Sequence, residues 1–592
     1  MSLPKRDEID PEYRFELTTI YETPDDWTAA ASELDDELDA LEASAAGPLE
    51  TTDDLRALLQ SIEECYRRKQ RLKLYVNLAN AIGRDDAPRW ERYHALESTH
   101  EEHVATALRR LNDDDEALDA LAAELDVDRW YIENLRERAR HVRSLEGEET
   151  MAAFAETRRA PTEVLHAVRR DREPSVLERP DGERVEIPGA DFRTELARPD
   201  REYRRRVYDA MWGAFERFEE TITEAFEAKL KAVSAEASVR GYASIRERDL
   251  RRRCVPDSGM HSVLPETVHD VMLDGIRENL GPYHRLLERR RDRLGLDVLR
   301  PWDLDVPVAD RDPPAIGYED AKMYILGALE PLGADYVERV RSLFERRRID
   351  AAPGVDKTGK WYCQYSADDG PFVVANYRSD VRSLFVLCHE LGHAMHVEHH
   401  REGLARYATS PQPVSEVPST VHQLLLADHL VDEGGVLAEA ALERVLVQVG
   451  RSLYRSAMFA AFVHEFVSSV ERGEPVDPDD ARETQRSVLR EFREPVELDA
   501  DAGRTWLGRG TRDPYHNYQY VLGATGGLVA RQQLREGDLT AAAYREFLRS
   551  TGREPSVALF RSLGCDVTTP AAFERATDAF DEYVDRIVER TE

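Results

Sequence analysis

Lysine, cysteine and long apolar segments are all scarce in this 592-residue sequence. No apolar run approaches the roughly 20 residues that a membrane-spanning helix needs, and the mean hydropathy is −0.58. The first residues, MSLPKRDEIDPEYRFEL, contain no apolar core of the kind found in a secretion signal. We therefore predict a protein that has no membrane partner and that resides in the cytoplasm.

The cysteines are odd in number, lie far apart and form no CxxC pair. They are Cys65, Cys254, Cys363, Cys388 and Cys565. A disulfide framework or a cysteine-rich zinc site needs paired or closely spaced thiols, so neither is expected. This pattern agrees with a reducing cytoplasm.

Basic residues are outnumbered by acidic ones. Lys and Arg total 81 against 116 Asp and Glu, which gives a formal net charge of −35. A surface this negative repels phosphate backbones, so we predict no nucleic-acid partner. Only eight of the basic residues are lysines, and a GC-rich genome would explain that deficit but not the net charge. The composition therefore favours a halophilic protein of archaeal type, in which concentrated salt screens the surface charge.

Most of the chain carries apolar residues at the 3.6-residue period of amphipathic helices, which predicts a mainly α fold. Residues 172–198 break this period with an Asp-Gly turn between alternating apolar residues, so a small hairpin is expected there. We place a domain boundary at this hairpin, with an N-terminal helical domain at 1–198 and a second domain at 199–592.

A second break in the helical period, at 350–378, contains two β-strand patterns. They are WYCQY at 361–365 and PFVVANY at 371–377, and β-branched and aromatic residues of this kind favour strands. A helix is predicted directly after them, at 380–400. The sequence therefore predicts a small β-sheet beside that helix.

The helix at 380–400 contains an HExxH motif formed by His389, Glu390 and His393. Residues four apart on a helix project from one face, so both imidazoles can bind one ion. Zinc accepts such nitrogen ligands, and the adjacent glutamate can take a proton from water. Gly392 weakens an ordinary helix, so it indicates room for a substrate or a closely packed backbone. The pattern predicts a catalytic metal site with Glu390 as the general base.

The third metal ligand distinguishes two classes of site. His399 occupies the last position of HExxHxxGxxH, but His396 stands where that motif needs a glycine for the chain to turn back. Glu416 precedes another predicted helix, for which Ser415 is a candidate N-cap. Glu402 lies too close to the first helix to reach back. Because a ligand is held best on a rigid element, the residues favour Glu416 over His399.

Two motifs make the sequence resemble the oligoendopeptidase F family, whose members are related to the thimet oligopeptidases. They are HELGHAMH at 389–396 and SEVPST at 415–420, and weaker similarity covers 9–27, 240–250 and 371–393. The resemblance implies a mainly α, two-lobed helical body that encloses a deep active-site channel. It implies one Zn²⁺ on the channel floor, held by His389, His393 and Glu416.

The resemblance also bears on the substrate. A deep channel admits short, flexible peptides, and the strand at 371–377 is expected to pair with the substrate backbone. Family members carry a His and a Tyr-rich stretch near the carboxyl end, which donate to the developing oxyanion. His516 and Tyr520 are the candidates here, shifted from the family's positions, and ordinary packing aromatics are the alternative. Gln423 stands where an acidic residue is expected and would orient a ligand through a neutral hydrogen bond.

The sequence predicts a zinc metalloendopeptidase that hydrolyses internal bonds of short oligopeptides, with residues 199–592 as its catalytic domain. Glu390 would act first as general base and then as general acid to the leaving amine. One alternative is a zinc carboxypeptidase with the same HExxH motif. Another is a non-catalytic helical protein whose structural zinc takes a fourth ligand, for which His422 is the nearby candidate.

Overall fold

A computed structural model describes residues 3–47, 51–84, 86–112, 123, 129–188, 192–252, 262–308, 314–401, 411–510 and 512–591. Helices dominate this part of the chain, which confirms the predicted mainly α fold. Among these residues, no helix has both the length and the apolar character needed to cross a membrane.

The helices follow the amphipathic period of the sequence, and several begin at side chains that cap the first turn. Thr23 and Thr51 each accept a hydrogen bond from the backbone amide three residues later. In chain order the first helices are α1 (Pro24–Ala46), α2 (Thr52–Ala81), α3 (Ala87–Asn112), α4 (Arg129–Arg140), α5 (Leu145–Ala153), α6 (Ala155–Asp171), α7 (Phe192–Leu196), α8 (Arg201–Glu216), α9 (Glu219–Val239), α10 (Ile245–Arg252), α11 (Thr267–Glu278) and α12 (Gly281–Arg293). They are followed by α13 (Tyr318–Ala328), α14 (Ala334–Glu345), α15 (Val381–His400), α16 (Gln412–Glu433), α17 (Gly435–Gly450), α18 (Ser456–Glu471), α19 (Pro478–Phe492), α20 (Tyr518–Glu536), α21 (Ala541–Ser550), α22 (Ser556–Ser562) and α23 (Pro570–Thr591).

Short strands form two small sheets. They are β1 (Ser175–Glu178), β2 (Arg184–Ile187), β3 (Ile349–Asp350), β4 (Tyr362–Ser366) and β5 (Gly370–Val374). β1 and β2 pair antiparallel, which confirms the hairpin predicted within 172–198. The second sheet has the order β3-β5-β4, with β3 parallel and β4 antiparallel to β5. β4 and β5 pack against α15, as predicted for a sheet beside the HExxH helix.

β5 has hydrogen-bonded partners along both edges, so the expectation that the strand at 371–377 receives the substrate backbone is wrong. The edge away from β4 is occupied, because the Val373 amide donates to the Arg348 carbonyl (2.8 Å). The Ala375 amide donates to the Asp350 carbonyl (2.9 Å) in the same way. β4 stands at the end of the sheet and pairs only with β5, so its other edge has no strand partner among the described residues.

Two hydrophobic cores meet at β5. Successive side chains of a strand point to opposite faces. Phe372 and Val374 pack into a core formed by helices α1 to α4, and Val373 and Ala375 pack into the larger core of the later helices. The first core draws its other members from residues 15–139. The division of the chain at residue 198 stays a prediction.

One face of α15 is buried in the core, and the other face carries the candidate ligands His389 and His393. The Asp380 side chain accepts the Ser383 amide (2.6 Å) and caps the helix. The helix continues to His400, as predicted from His396, so His399 does not turn back toward His389. Its Nδ1 instead lies 2.8 Å from the Met395 carbonyl oxygen. The fully buried face is formed by Leu384, Leu387, Cys388, Leu391 and Met395.

α16 begins earlier than predicted, and Ser415 is not its N-cap. The helix starts at Gln412, directly after Pro411. Pro413 fits the first turn because the amide that it lacks would have no helical acceptor there. The Ser415 hydroxyl donates to the Gln412 carbonyl (2.8 Å). Glu416 therefore stands on the helix itself rather than in the turn before it.

Candidate active site

The three metal ligands predicted from the sequence converge where α15 faces α16. The Nε2 atoms of His389 and His393 are 3.2 Å apart. Oε2 of Glu416 lies 3.7 Å from Nε2 of His389 and 3.8 Å from Nε2 of His393. One helix supplies both imidazoles because they are four residues apart, and the other supplies the carboxylate. All three donor atoms lie within 4.8 Å of one another.

The donor set fits a zinc ion. Two imidazole nitrogens that face each other at 3.2 Å repel unless a proton or a cation lies between them. Zinc bonds of about 2.0–2.2 Å at tetrahedral angles would separate the ligand atoms by roughly 3.3–3.6 Å, close to the separations in the structure. Two imidazoles and one carboxylate are also a common catalytic zinc set, which leaves one coordination position for water or substrate.

Hydrogen bonds orient the candidate ligands. Nδ1 of His389 lies 3.2 Å from Oε1 of Gln423, and Nε2 of Gln423 donates to the Phe385 carbonyl (3.3 Å). This arrangement places a proton on Nδ1 of His389 and leaves the Nε2 lone pair for a metal. The Ser419 hydroxyl lies 3.4 Å from Oε2 of Glu416. The neutral Gln423 thus makes the orienting contact that the sequence predicts for it.

Burial sets the protonation of His393. It lowers the pKa of this imidazole to about 4, although the Glu416 charge and a hydrogen bond to the Ser415 backbone act in the opposite direction. His393 is therefore neutral at pH 7 and keeps a free lone pair. Metal binding requires this unprotonated form.

Glu390 is buried beside β4, and its side chain faces the same cavity as the ligands. Burial raises the pKa of Glu390 to about 7, and the Glu416 charge adds to that rise. A hydrogen bond from the Cys363 backbone amide lowers it. A carboxyl group with a pKa near neutrality can accept a proton and return it. The Cys363 amide could not be predicted, because the contact joins segments that are distant in the sequence.

Glycines let α16 pack closely between α15 and α20. A Cβ atom on Gly392 would lie 2.5 Å from Cα of Ser419, so the space that this glycine leaves is filled by the α16 backbone. On the other side, a Cβ atom on Gly523 would lie 2.3 Å from Cβ of Glu416. Contacts this short exclude any larger residue without a shift of the helices. Gly523 is therefore a positioning residue for Glu416 that the sequence motifs did not reveal.

The ligand cluster opens on a cavity of about 890 Å³. α15 and α16 contribute the candidate ligands, and β4 contributes Tyr362, Cys363 and Tyr365 to the lining. The open edge of β4 therefore borders the same space as Glu390. This volume is in the range of pockets that enclose a ligand of several residues or a drug-sized molecule.

His516 and Tyr520 are the candidate oxyanion donors, and of the two only Tyr520 lines the cavity. Tyr520 is part of the lining. His516 lies behind it, with Nε2 3.2 Å from the Tyr520 hydroxyl. Asn517, directly before α20, also lines the cavity, although no sequence motif indicates it. The arrangement allows His516 to orient the Tyr520 hydroxyl toward the cavity.

His422 does not join the ligand cluster. Its Nε2 lies 2.6 Å from the Tyr336 hydroxyl, and its Nδ1 lies 3.2 Å from the Cys388 carbonyl oxygen. Burial lowers the pKa of His422 to about 3. The candidate fourth ligand of a structural site is thus engaged in the core. Glu402, the other alternative ligand, lies outside the described residues.

Comparison with known proteins identifies the family. The model of peptidase family M3 matches residues 196–579, which is well over half of the chain. The chain belongs to peptidase family M3. The match contains all the candidate ligands and Glu390, and it confirms the resemblance that the HELGH and SEVPST motifs carry. Membership of this family makes the chain a peptidase.

Individual relatives agree with this assignment. Oligopeptidase PepF of Bacillus subtilis is 27% identical over 69% of this chain, and the match spans 61% of that relative's length. An oligoendopeptidase F homolog of Lactococcus lactis is 24% identical over 98% of both chains. The structure of oligoendopeptidase-F from Enterococcus faecium superimposes with a TM-score of 0.71 at 20% identity, covering 95% of this chain and 98% of that one. A Chlamydophila abortus structure reaches 0.85 at 20% identity, covering 99% and 100%. At these identities the structures establish a shared fold.

Proposed function

We propose that this peptidase is a zinc metalloendopeptidase that hydrolyses internal bonds of short oligopeptides in the cytoplasm. The observation that carries the proposal is the convergence of His389, His393 and Glu416 beside Glu390 in one cavity. The names of the relatives, oligopeptidase and oligoendopeptidase, support the substrate class. The same cavity supports the restriction to short peptides, because a substrate would have to enter it as an extended chain.

His389, His393 and Glu416 would hold the zinc ion. When bound, zinc acts as a Lewis acid and lowers the pKa of a water ligand to about 7. Glu390 accepts a proton from the attacking water and transfers it to the amine of the departing peptide. Burial raises the pKa of this carboxyl group to about 7, and the Cys363 amide holds it in place. Gln423 keeps the His389 ring in the orientation that ligation needs.

Two further features of this chain serve the substrate. An extended peptide backbone can pair with the open edge of β4 next to Glu390, whereas β5 is already paired along both of its edges. The Tyr520 hydroxyl lines the same cavity and would donate to the developing oxyanion, and His516 would orient it. A Tyr520→Phe variant is expected to lose about 10²–10³-fold in kcat with little change in KM, as for the removal of one oxyanion donor.

Zinc content and cleavage measured together test the proposal. The expected result is one zinc per chain, cleavage of unstructured peptides of about ten residues at internal bonds, and loss of both zinc and cleavage with a chelator. Removal of single residues from the carboxyl end would instead identify a carboxypeptidase, and a peptide with both ends blocked distinguishes the two. Zinc bound without cleavage of any peptide would leave only a structural metal.

A further inference from the structure

Arginines form one wall of the cavity that holds the candidate metal site. Arg169, Arg193, Arg451, Arg455, Arg509 and Arg512 contribute to the lining. Among the described residues that line the cavity, the only carboxylates are Glu390 and Glu416, and both belong to the metal cluster. A chain with a net charge of −35 thus concentrates positive charge inside this one space. We call these six residues the arginine wall.

The backbone between α17 and α18 places two members of the wall. Residues Arg451–Arg455 form a five-residue π-helix. Such wide turns are rare and occur frequently at functional sites. Arg451 and Arg455 stand at the two ends of this turn, and both line the cavity. Arg169 reaches the wall from α6, where it donates to the Gly508 carbonyl oxygen.

Few anionic groups of the described residues lie close to Arg451, Arg455 and Arg509. The Arg509 guanidinium lies over the Phe459 ring, 5.1 Å from its centre. Burial lowers the pKa of Arg509 to about 9, and the charges that add to this effect are all arginines, beginning with Arg455. Arg455 forms an ion pair with Asp305 at 3.8 Å, a separation too long for a hydrogen bond. Nε of Arg451 is buried and has no hydrogen-bond partner among the described residues.

Such a cluster costs the folded state free energy. Like charges repel one another, and partial burial removes the water that would screen them. An anionic ligand would remove both costs. Arginine is the residue best suited to this role, because its planar fork donates two parallel hydrogen bonds to one carboxylate.

We propose that the arginine wall binds a carboxylate of the peptide substrate, so that this peptidase prefers peptides that carry this group. The inference rests on the proposed function and specifies its substrate class. The carboxylate has two sources, an Asp or Glu side chain and the free carboxyl terminus of the peptide. Both present a planar anion to the guanidinium groups, and peptides that carry one carboxylate or the other distinguish them.

The wild-type enzyme provides the first test. Four versions of a fluorogenic ten-residue peptide combine Glu or Gln near the scissile bond with a free or an amidated carboxyl terminus. At the lowest KCl concentration at which the protein stays folded, kcat/KM is expected to be at least about tenfold higher for one carboxylate-bearing peptide than for its neutral counterpart. The preference should shrink as KCl is raised, because salt screens the attraction. A Glu preference identifies a side-chain carboxylate, and loss on amidation identifies the terminus.

Variants locate the preference at the wall. Arg451→Gln and Arg509→Gln should each reduce the ratio of acidic to neutral kcat/KM about tenfold, mainly through KM, while Arg509→Lys should retain part of it. Arg490→Gln is the matched control, because Arg490 is exposed and pairs with Glu483 (2.7 Å) outside the cavity. Its ratio should equal that of the wild type. Equal kcat/KM for all four peptides with the wild type, or an unchanged ratio in both Gln variants, would overturn the inference.

Binding without turnover separates this inference from the proposed function. Glu390→Gln should keep the cavity intact and stop cleavage, so fluorescence anisotropy can measure the affinity for labelled acidic and neutral peptides. Tighter binding of the acidic peptide that disappears with Arg451→Gln in the same background supports the wall even if the wild type cleaves nothing. Cleavage of both peptides with equal affinity would reject the wall and leave the proposed function standing.

Discussion

Two glutamates share the cavity, and their surroundings assign them different tasks. Glu390 is buried, with its carboxylate held by the Cys363 amide. Glu416 is half-buried, and its carboxylate faces the two imidazoles at 3.7 and 3.8 Å. One is therefore placed to move a proton and the other to ligate a cation. Substitution by glutamine, which keeps size but removes the charge, separates these roles.

Glu390→Gln should abolish turnover while zinc content stays at the wild-type level, because glutamine cannot accept a proton. The expected loss in kcat is at least about 10²–10⁴-fold. Glu416→Gln should instead weaken zinc binding at least about tenfold, since a neutral amide replaces an anionic ligand. Added zinc should partly restore activity in Glu416→Gln and not in Glu390→Gln.

Titration with a colorimetric zinc chelator measures both effects. Glu433→Gln is the control, because Glu433 is exposed at the end of the same helix and should behave like the wild type. The ligand assignment is wrong if Glu416→Gln holds zinc as tightly as the wild type does.

Lys69 provides a pH-dependent prediction away from the site. It is 4% exposed, with Nζ 3.2 Å from Nδ1 of His100. Burial lowers the pKa of Lys69 to about 8, against about 10.4 in an unfolded chain. Below pH 8 the folded chain must keep a buried charge, which costs it free energy. Between pH 8 and 10.4 the unfolded chain binds more protons, so this cost disappears as the pH rises.

The free energy of unfolding of the wild type should therefore gain on the order of 3 kcal/mol from Lys69 between pH 8 and 10.4, relative to Lys69→Met. Denaturant unfolding of the two proteins at both pH values measures the difference. Lys231→Met is the control, because Lys231 is exposed and pairs with Glu227 (2.8 Å). A difference between the wild type and Lys69→Met that does not vary with pH would contradict the expectation.

Local geometry explains which site residues could be predicted from the sequence. His389, Glu390 and His393 lie within one helical turn, so the period of the helix alone brings them together. Glu416 is on another helix, and the residues by themselves favoured it without deciding against His399. The Cys363 amide and Gly523 act through contacts between distant segments, for which no local pattern exists. Tyr520 and His516 are both candidates by resemblance. Only the structure shows that Tyr520 lines the cavity while His516 lies behind it.

Among the elements, the contact of α16 with α20 determines the position of Glu416, the proposed third ligand. Gly523 faces Cβ of Glu416 at a distance that no larger residue tolerates. Gly523→Ala should push Glu416 away from the imidazoles, with zinc affinity reduced at least about tenfold and Tm lowered. An overpacked core contact typically costs about 1–3 kcal/mol.

Gly213→Ala is the matched substitution for comparison. Gly213 lies on α8, and a Cβ atom added there would meet no other atom within 4 Å, so alanine should slightly stabilise the helix and leave zinc binding unchanged. Zinc titration and thermal unfolding of both variants measure the effects. Wild-type zinc affinity in Gly523→Ala would show that α16 can shift without moving Glu416.

Helices and strands are predicted best where one local sequence signal defines them. They are predicted least well where pairing with a distant segment decides their role. The hairpin within 172–198 followed from its turn and alternation. The sequence predicts a later start for α16, directly after Glu416, because Ser415 is a suitable N-cap and Pro418 fits a first turn. The prediction that 371–377 pairs with the substrate backbone is wrong. The strand β3 occupies the second edge of β5, and it has too few residues to give a sequence pattern.

At the scale of the whole molecule, net charge governs the response to salt. With −35 charges on the chain, self-repulsion destabilises the compact state in dilute buffer. Raising KCl from 0.1 to 1 M shortens the screening length from about 10 to about 3 Å. Tm and activity on a neutral peptide should therefore both rise.

Sorbitol at equal osmolality is the control for this prediction, because it does not screen charge. Thermal unfolding and initial rates in both series measure the effect. A Tm that is equal in dilute buffer and in molar KCl would remove the argument that the protein is halophilic.

The alternating side chains of β5 limit how the protein can be dissected. A fragment starting at residue 199 would keep the strand but lose the four helices that cover Phe372 and Val374. It would expose both side chains to water a few residues before α15, so we expect it to aggregate rather than to form a minimal peptidase. Co-expression of residues 1–198 should restore solubility by covering that face again. Residues 199–592 are thus not expected to work as an independent unit when they are fused to other proteins.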